Sequence, residues 1–211
     1  MNRLLLSPNE ARVLAALIEK SITTPQYYPL TVNGAMLAAN QKNARSPVMN
    51  LNEGDVGAAL NQLEAEKLAT RDDLAGRVPK WRHRFHHQLL LKPHTMALLA
   101  TLMLRGPQTA AELRSNAQGL GGPADAEGIS AALADLSDRA QPLIALLPRM
   151  PGQAAPRYAH LLSGEPAVPA ADEAEAPRAS ARGGAQLADL EARIAELEAR
   201  VAELERLLPA A

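Results

Sequence analysis

Between Thr23 and Leu63 the chain sets two short helical patterns on either side of a polar connection, and this pairing constrains what the rest can become. In the first, Thr31 follows Pro29 and Leu30 and offers a side-chain oxygen to the free amides of a helix carrying Met36, Leu37 and Ala38, ending near Asn40. The second begins after Pro47, with Asn52 as N-cap, and places Val56, Ala59, Leu60 and Leu63 at i, i+3, i+4 and i+7. That stripe must face a core. The opposite face, Gly54, Gly57, Ala58, Asn61 and Gln62, is small and amide-bearing, which leaves room for a groove to approach. Such a pair reads as a helix-turn-helix, and two helices this short cannot bury their apolar faces alone.

The flanks supply the remainder. Ser7-Pro8-Asn9-Glu10 has Ser at N-cap, Pro at N1 and Glu at N3, so a capping box opens a helix that carries Ala11, Val13, Leu14, Leu17 and Ile18 and ends near Lys20. Beyond Leu63, the segment Leu68 to Arg71 reads as a strand, Asp72 to Gly76 as a turn and Arg77 to Phe85 as a returning strand. Three helices and a hairpin make a winged-helix order, and the next segment repeats it. His94 to Leu104 is an apolar helix stopped by Arg105-Gly106-Pro107, and Thr109 with Glu112 forms another capping box. Asp125 then opens a helix holding Ile129, Ala132, Leu133 and Leu136, and Leu143 to Leu147 with Arg157 to Leu162 form a hairpin. Val56 to Leu60 with Leu63 aligns with Ile129 to Leu133 with Leu136, as a repeat requires.

The expected fold is therefore mainly α with small β-hairpins, as tandem winged-helix domains over residues 1–92 and 93–162. Residues 163–184, rich in Pro, Ala, Glu and Gly, read as a disordered linker to a coiled-coil helix over 185–209. There Leu187, Ile194, Val201 and Leu208 occupy a positions, and Leu190, Leu197 and Leu204 occupy d. β-Branched Ile194 and Val201 at a, with Arg193 facing Glu198 and Arg200 facing Glu205 across the seam, favour a parallel homodimer. The alternative for so short a helix is docking on its own domains.

Composition narrows the function. Aromatics are only 2% of residues, which suits small helical units filled by Leu, Val, Ile, Met and Ala. The absence of cysteine excludes disulfides, thiolate metal sites and a cysteine nucleophile. The apolar run Leu4 to Leu6 is too short for a signal sequence and Met96 to Leu104 too short to span a bilayer, so a cytoplasmic protein with no membrane association is expected. Residues 1–92 hold 12 basic and 8 acidic side chains, residues 93–162 hold 5 and 5, and residues 163–211 hold 5 and 10. Only the first segment carries an electrostatic case for a polyanion.

Within it the candidate nucleic-acid contacts are Lys42 and Arg45 ahead of the third helix, Asn61 and Gln62 on that helix, and Arg77, Lys80, Arg82 and Arg84 on the hairpin. On a strand Lys80, Arg82 and Arg84 share one face, and Trp81 and His83 the other. Against this stand Glu53, Asp55, Glu64 and Glu66 on the third helix, which repel a phosphate backbone unless they point aside. His83, His86, His87 and His94 lack Cys or a well-spaced carboxylate, so no metal is expected. Tyr27-Tyr28 is read as packing its loop on the first helix, and Gly119 to Gly122, without a following lysine, as a turn. No nucleophile elbow, zinc-protease motif or catalytic carboxylate pair occurs, so no enzyme and no cofactor are expected.

The segment EKSITTPQYYPLTVNGAMLAANQKNARSPVMNL, with RVPKWRHRF, LRGPQTAAELR and RYAHLLSGE, closely resembles the YceH-like family of bacterial proteins over nearly residues 3 to 165. The resemblance implies a tandem winged-helix fold and a C-terminal heptad helix behind a variable linker; it implies no activity, ligand or partner. Where that family commonly has Arg after the ELR motif, this chain has Ser115-Asn116-Ala117, which weakens the case for a basic surface on the second domain. The leading expectation is a dimeric, transcription-regulator-like protein that binds double-stranded DNA. The alternative is a scaffold whose winged helices and coiled coil bind protein partners without nucleic acid.

Overall fold

The computed structural model describes residues 4–72, 78–149 and 152–166. Local chemistry starts nearly every helix. Helix α1 (Pro8–Thr23) opens on the reciprocal Ser7 and Glu10 capping box, α2 (Val32–Ala39) on Thr31, and α3 (Glu53–Ala65) on a box in which Asn52 and Asp55 satisfy each other's amides. Strands β1 (Ala69–Asp72) and β2 (Lys80–His83) pair antiparallel, with Arg71 opposite Trp81 and Asp72 opposite Lys80. Leu30, just before α2, exchanges two backbone hydrogen bonds with Trp81 and so lays a third chain segment beside β2.

The same order returns in the second half. Helix α5 (Pro93–Arg105) is followed by Gln108, which pairs with Tyr158 as Leu30 does with Trp81. Then come α6 (Ala110–Ala117) on the Thr109 and Glu112 capping box, α7 (Ala126–Ser137) on Asp125, and the antiparallel pair β3 (Ile144–Leu146) and β4 (Tyr158–His160). Among the described residues there are thus seven α-helices and two two-stranded sheets.

Two local expectations change. Helix α1 continues to Thr23, three residues past Lys20. The strand expected to reach Phe85 stops at His83, because Arg84 leaves the extended conformation, its amide bonds to Leu68 O at 2.6 Å, and Phe85 begins a one-turn helix, α4 (Phe85–Gln88). Phe85 is thereby fully buried.

Packing joins the halves. Helix α1 lies against α2, α3 and α5, so every residue from Ala11 to Ile18 is buried. Helix α5 is buried likewise from Ala97 to Leu104, and the buried side chains of both halves form one continuous core. The amide of Leu6 bonds to Leu162 O at 2.6 Å, fastening the segment before α1 to the end of the second half. Full burial of one Leu or Ile contributes about 1.5–3 kcal/mol, so Leu14, Leu17, Ile18, Leu98, Leu99 and Leu102 dominate this junction. Gly122 closes the turn after α6: its amide bonds to Ala117 O, and a Cβ there would lie 2.7 Å from Ala117 Cβ and 2.8 Å from Ala117 O. The glycine cluster is therefore a tight backbone turn, as expected.

Candidate nucleic-acid interface

The two faces of α3 separate as its spacing requires. Val56, Ala59, Leu60 and Leu63 are buried, while Gly54, Ala58, Asn61 and Gln62 are exposed. Two of the four carboxylates that oppose a phosphate backbone are committed locally. Asp55 accepts the Asn52 amide at 2.9 Å, and Glu64 accepts the Arg71 amide at 3.0 Å, which ties the last turn of α3 to β1. Glu53 and Glu66 stay exposed. Between α3 and the hairpin lies a cleft of about 530 Å³ whose walls include Asn33, Glu53, Gly57, Asn61, Val78 and Trp81. The structure thus brings Asn61 to a cleft and leaves Gln62 on the open surface outside it.

Arg45 requires a correction. Its guanidinium is fully buried, with Nη2 2.6 Å from Glu19 Oε2 and Nη1 3.1 Å from Glu19 Oε1, while Nη2 also donates to Ala38 O at 2.8 Å and Gln41 Oε1 at 3.1 Å. A group so engaged is not available to a phosphate. Lys42 is exposed and makes no hydrogen bond or ion pair within the described residues. Arg77 lies outside the described residues, as do Leu187, Leu190, Ile194, Leu197, Val201, Leu204 and Leu208 of the heptad seam.

On β2 Trp81 is buried, and Lys80 and Arg82 emerge on the other face as expected, but Arg84, expected on that same face, lies beyond the end of the strand as the residue before α4. Arg82 Nη2 pairs with Asp72 Oδ2 at 2.7 Å, in an ion pair with the arginine 43% exposed, so solvent screens it. Arg84 is exposed and unpaired within the described residues. Of the tyrosine pair expected to pack on the first helix, Tyr27 is 73% exposed, and Tyr28 is partly buried with its hydroxyl accepting the His83 amide of β2 at 2.6 Å. Burial pushes the Tyr28 phenol up to about 12. Ser21 Oγ lies 3.2 Å from His83 Nε2, and burial, with His86 and His87 nearby, lowers His83 to about 4. Among the described residues no three histidine or carboxylate side chains converge as a metal-ligand set.

Arg12 is the consequential residue that sequence reasoning missed. Inside the apolar run Ala11 to Ile18 it is only 3% exposed, and it donates to Pro47 O at 2.8 Å, Ala39 O at 3.4 Å and Leu104 O at 3.5 Å. Ala39 ends α2 and Leu104 lies in the last turn of α5, so the cation sits where two helix dipoles present carbonyls. Desolvation and then the nearby Arg45 lower its pKa. A charge within an otherwise apolar helical run was the available signal.

Comparison with known proteins bears out the family resemblance. A family model described as "Protein of unknown function, DUF480" matches residues 6–153. A UPF0502 protein of Geobacter sulfurreducens is 45% identical over 179 residues, covering 85% of this chain and 81% of its own length. A second, from Azoarcus sp., is 45% identical over 188 residues, covering 88% of this chain and 83% of its own. A third, from Burkholderia orbicola, is 46% identical over 160 residues, covering 76% and 67%.

Proposed function

We propose that this chain, which belongs to the DUF480 (UPF0502) family of bacterial proteins, binds duplex DNA without catalysing a reaction. In this reading its two similar halves are tandem winged helices, and its C-terminal heptads pair two copies in parallel. The observation that carries it is the exposed face of α3, Gly54, Ala58, Asn61 and Gln62, followed by a hairpin that carries Lys80, with Arg84 just past its end. Small side chains let a groove wall approach, amides suit base edges, and the hairpin cations suit phosphates. Local engagement of Asp55 and Glu64 reduces the repulsion that α3 would otherwise exert.

Fluorescence anisotropy with random duplex across a salt series tests this. The expected affinity falls linearly on logarithmic axes, and replacing Lys80 and Arg84 by Ala lowers the slope by about 2. Absence of binding at low salt, or an unchanged slope in the double variant, sinks the proposal.

A second reading, a protein-interaction scaffold, is favoured by one feature. Val78, 58% exposed, and Pro79 give the cleft beside α3 an apolar rim. A partner captured equally with and without nuclease, and retained by the Lys80→Ala, Arg84→Ala variant, supports that reading over DNA.

A further inference from the structure

At the foot of the first hairpin, two arginines and three histidines meet without a carboxylate among the residues that line their pocket. The cavity, about 270 Å³, is lined by Tyr28 from the segment after α1, Arg82 and His83 from β2, and Arg84, His86 and His87 at α4. Every one of these side chains carries an N–H or O–H donor. Arg82 is held by Asp72, while Arg84 is exposed and unpaired within the described residues. The rings are crowded, with centroids of His83 and His86 5.4 Å apart and those of His86 and His87 3.9 Å apart. Nδ1 of His83 and Nδ1 of His86 are both buried without a hydrogen-bond partner.

We infer that this pocket binds a phosphate-type oxyanion, clasped by the guanidinium groups of Arg84 and Arg82, with the Tyr28 hydroxyl and the His86 imidazole as further donors. The inference rests on the pocket alone and holds whether or not α3 contacts duplex. A cation is disfavoured, since it would add charge beside two arginines. An oxyanion supplies acceptors and cancels their field. The proton affinity of His86 agrees with this: it is lowered chiefly by burial and further by His87 and Arg84, so positive charge reaches this ring. Tyr28 keeps its proton, and because its oxygen accepts the His83 amide, its own O–H is left to donate.

A bound dianion favours the imidazolium form of His86, so binding takes up a proton and tightens as pH falls. The groups facing that ring are Tyr28, Arg82, His83, Arg84 and His87, with Asp72 reached through Arg82. This chemistry is offered both by the backbone phosphate of a nucleic acid and by a free phosphoryl compound.

Sulfate is a suitable probe because it remains a dianion throughout the neutral range, so any pH dependence belongs to the protein. The full-length chain is titrated with sodium sulfate, and with sodium chloride at equal ionic strength, while the five histidine imidazoles are followed by NMR. Sulfate should move His83, His86 and His87 and leave His94 and His160 in place. Its affinity should rise about tenfold from pH 8 to pH 6. Arg84→Gln, an exposed change compatible with folding, should weaken it about tenfold. Inorganic phosphate and a short duplex are then added separately: displacement of sulfate by the first identifies a free phosphoryl ligand, and by the duplex alone a backbone phosphate. Displacement by neither, equal shifts with chloride, movement of all five rings alike, or undiminished affinity in Arg84→Gln would overturn the inference.

Discussion

Replacing Glu19 by Gln should be among the most destabilising polar substitutions in the first half. The carboxylate is the bidentate partner of Arg45, whose side chain is fully buried, and Arg12 lies close enough to add a second positive charge. Removing one member of such a pair strands the other in a poorly solvated site, at a cost of about 3–5 kcal/mol. Gln still accepts one hydrogen bond, and Glu19 is 12% exposed, so the lower end, about 3 kcal/mol, is expected. For a unit of this size each kcal/mol lowers the melting temperature by about 2–4 °C, giving a fall of roughly 6–12 °C. Arg45→Met should recover part of that loss when combined with Glu19→Gln, because the stranded charge is then gone. Urea denaturation of both single variants and the double variant measures the coupling. A Glu19→Gln protein within about 0.5 kcal/mol of wild type, or strictly additive variants, would refute the assignment of Arg45 to the core.

Three other outcomes follow from the structure and sequence. Gly122→Ala should destabilise by about 1–3 kcal/mol, since its Cβ would collide with the Ala117 backbone, and an unchanged thermal melt contradicts this. His83 and His160 are both lowered to about 4 from 6.5, chiefly by burial, so the unfolded chain binds more protons than the folded one between those values. Their contribution is intact above about pH 7 and is lost as pH falls toward 4, by at most roughly 3 kcal/mol each. Urea midpoints that are flat from pH 7 to pH 5, or unaltered in slope by His160→Gln, would show that reasoning wrong. Truncation after Gly184 should convert a dimer to a monomer in sedimentation, and an unchanged mass refutes pairing through the heptads.

The legible parts of this protein are the ones written within a few residues of themselves. Ser7 with Glu10, Asn52 with Asp55 and Thr109 with Glu112 close their capping boxes over three residues, so each helix start could be read without knowing what the helix packs against. The buried stripe of α3 and the inward Trp81 follow equally from period 3.6 and period 2. Hydrogen bonds across 26 residues, from Arg45 to Glu19, and across 92, from Arg12 to Leu104, have partners that no local pattern names, even where a charge inside an apolar run marks Arg12 itself. The same basic residue type therefore reads alike at positions 45 and 84. Only the packing of α1 against α2 and the segment that follows it decides that Arg45 is an internal counter-charge while Arg84 remains at the surface, free to meet an anion. Local sequence set where the helices begin and which side of each faces inward. Tertiary structure assigned the charges, because desolvation and ion pairing depend on groups that only the fold brings together.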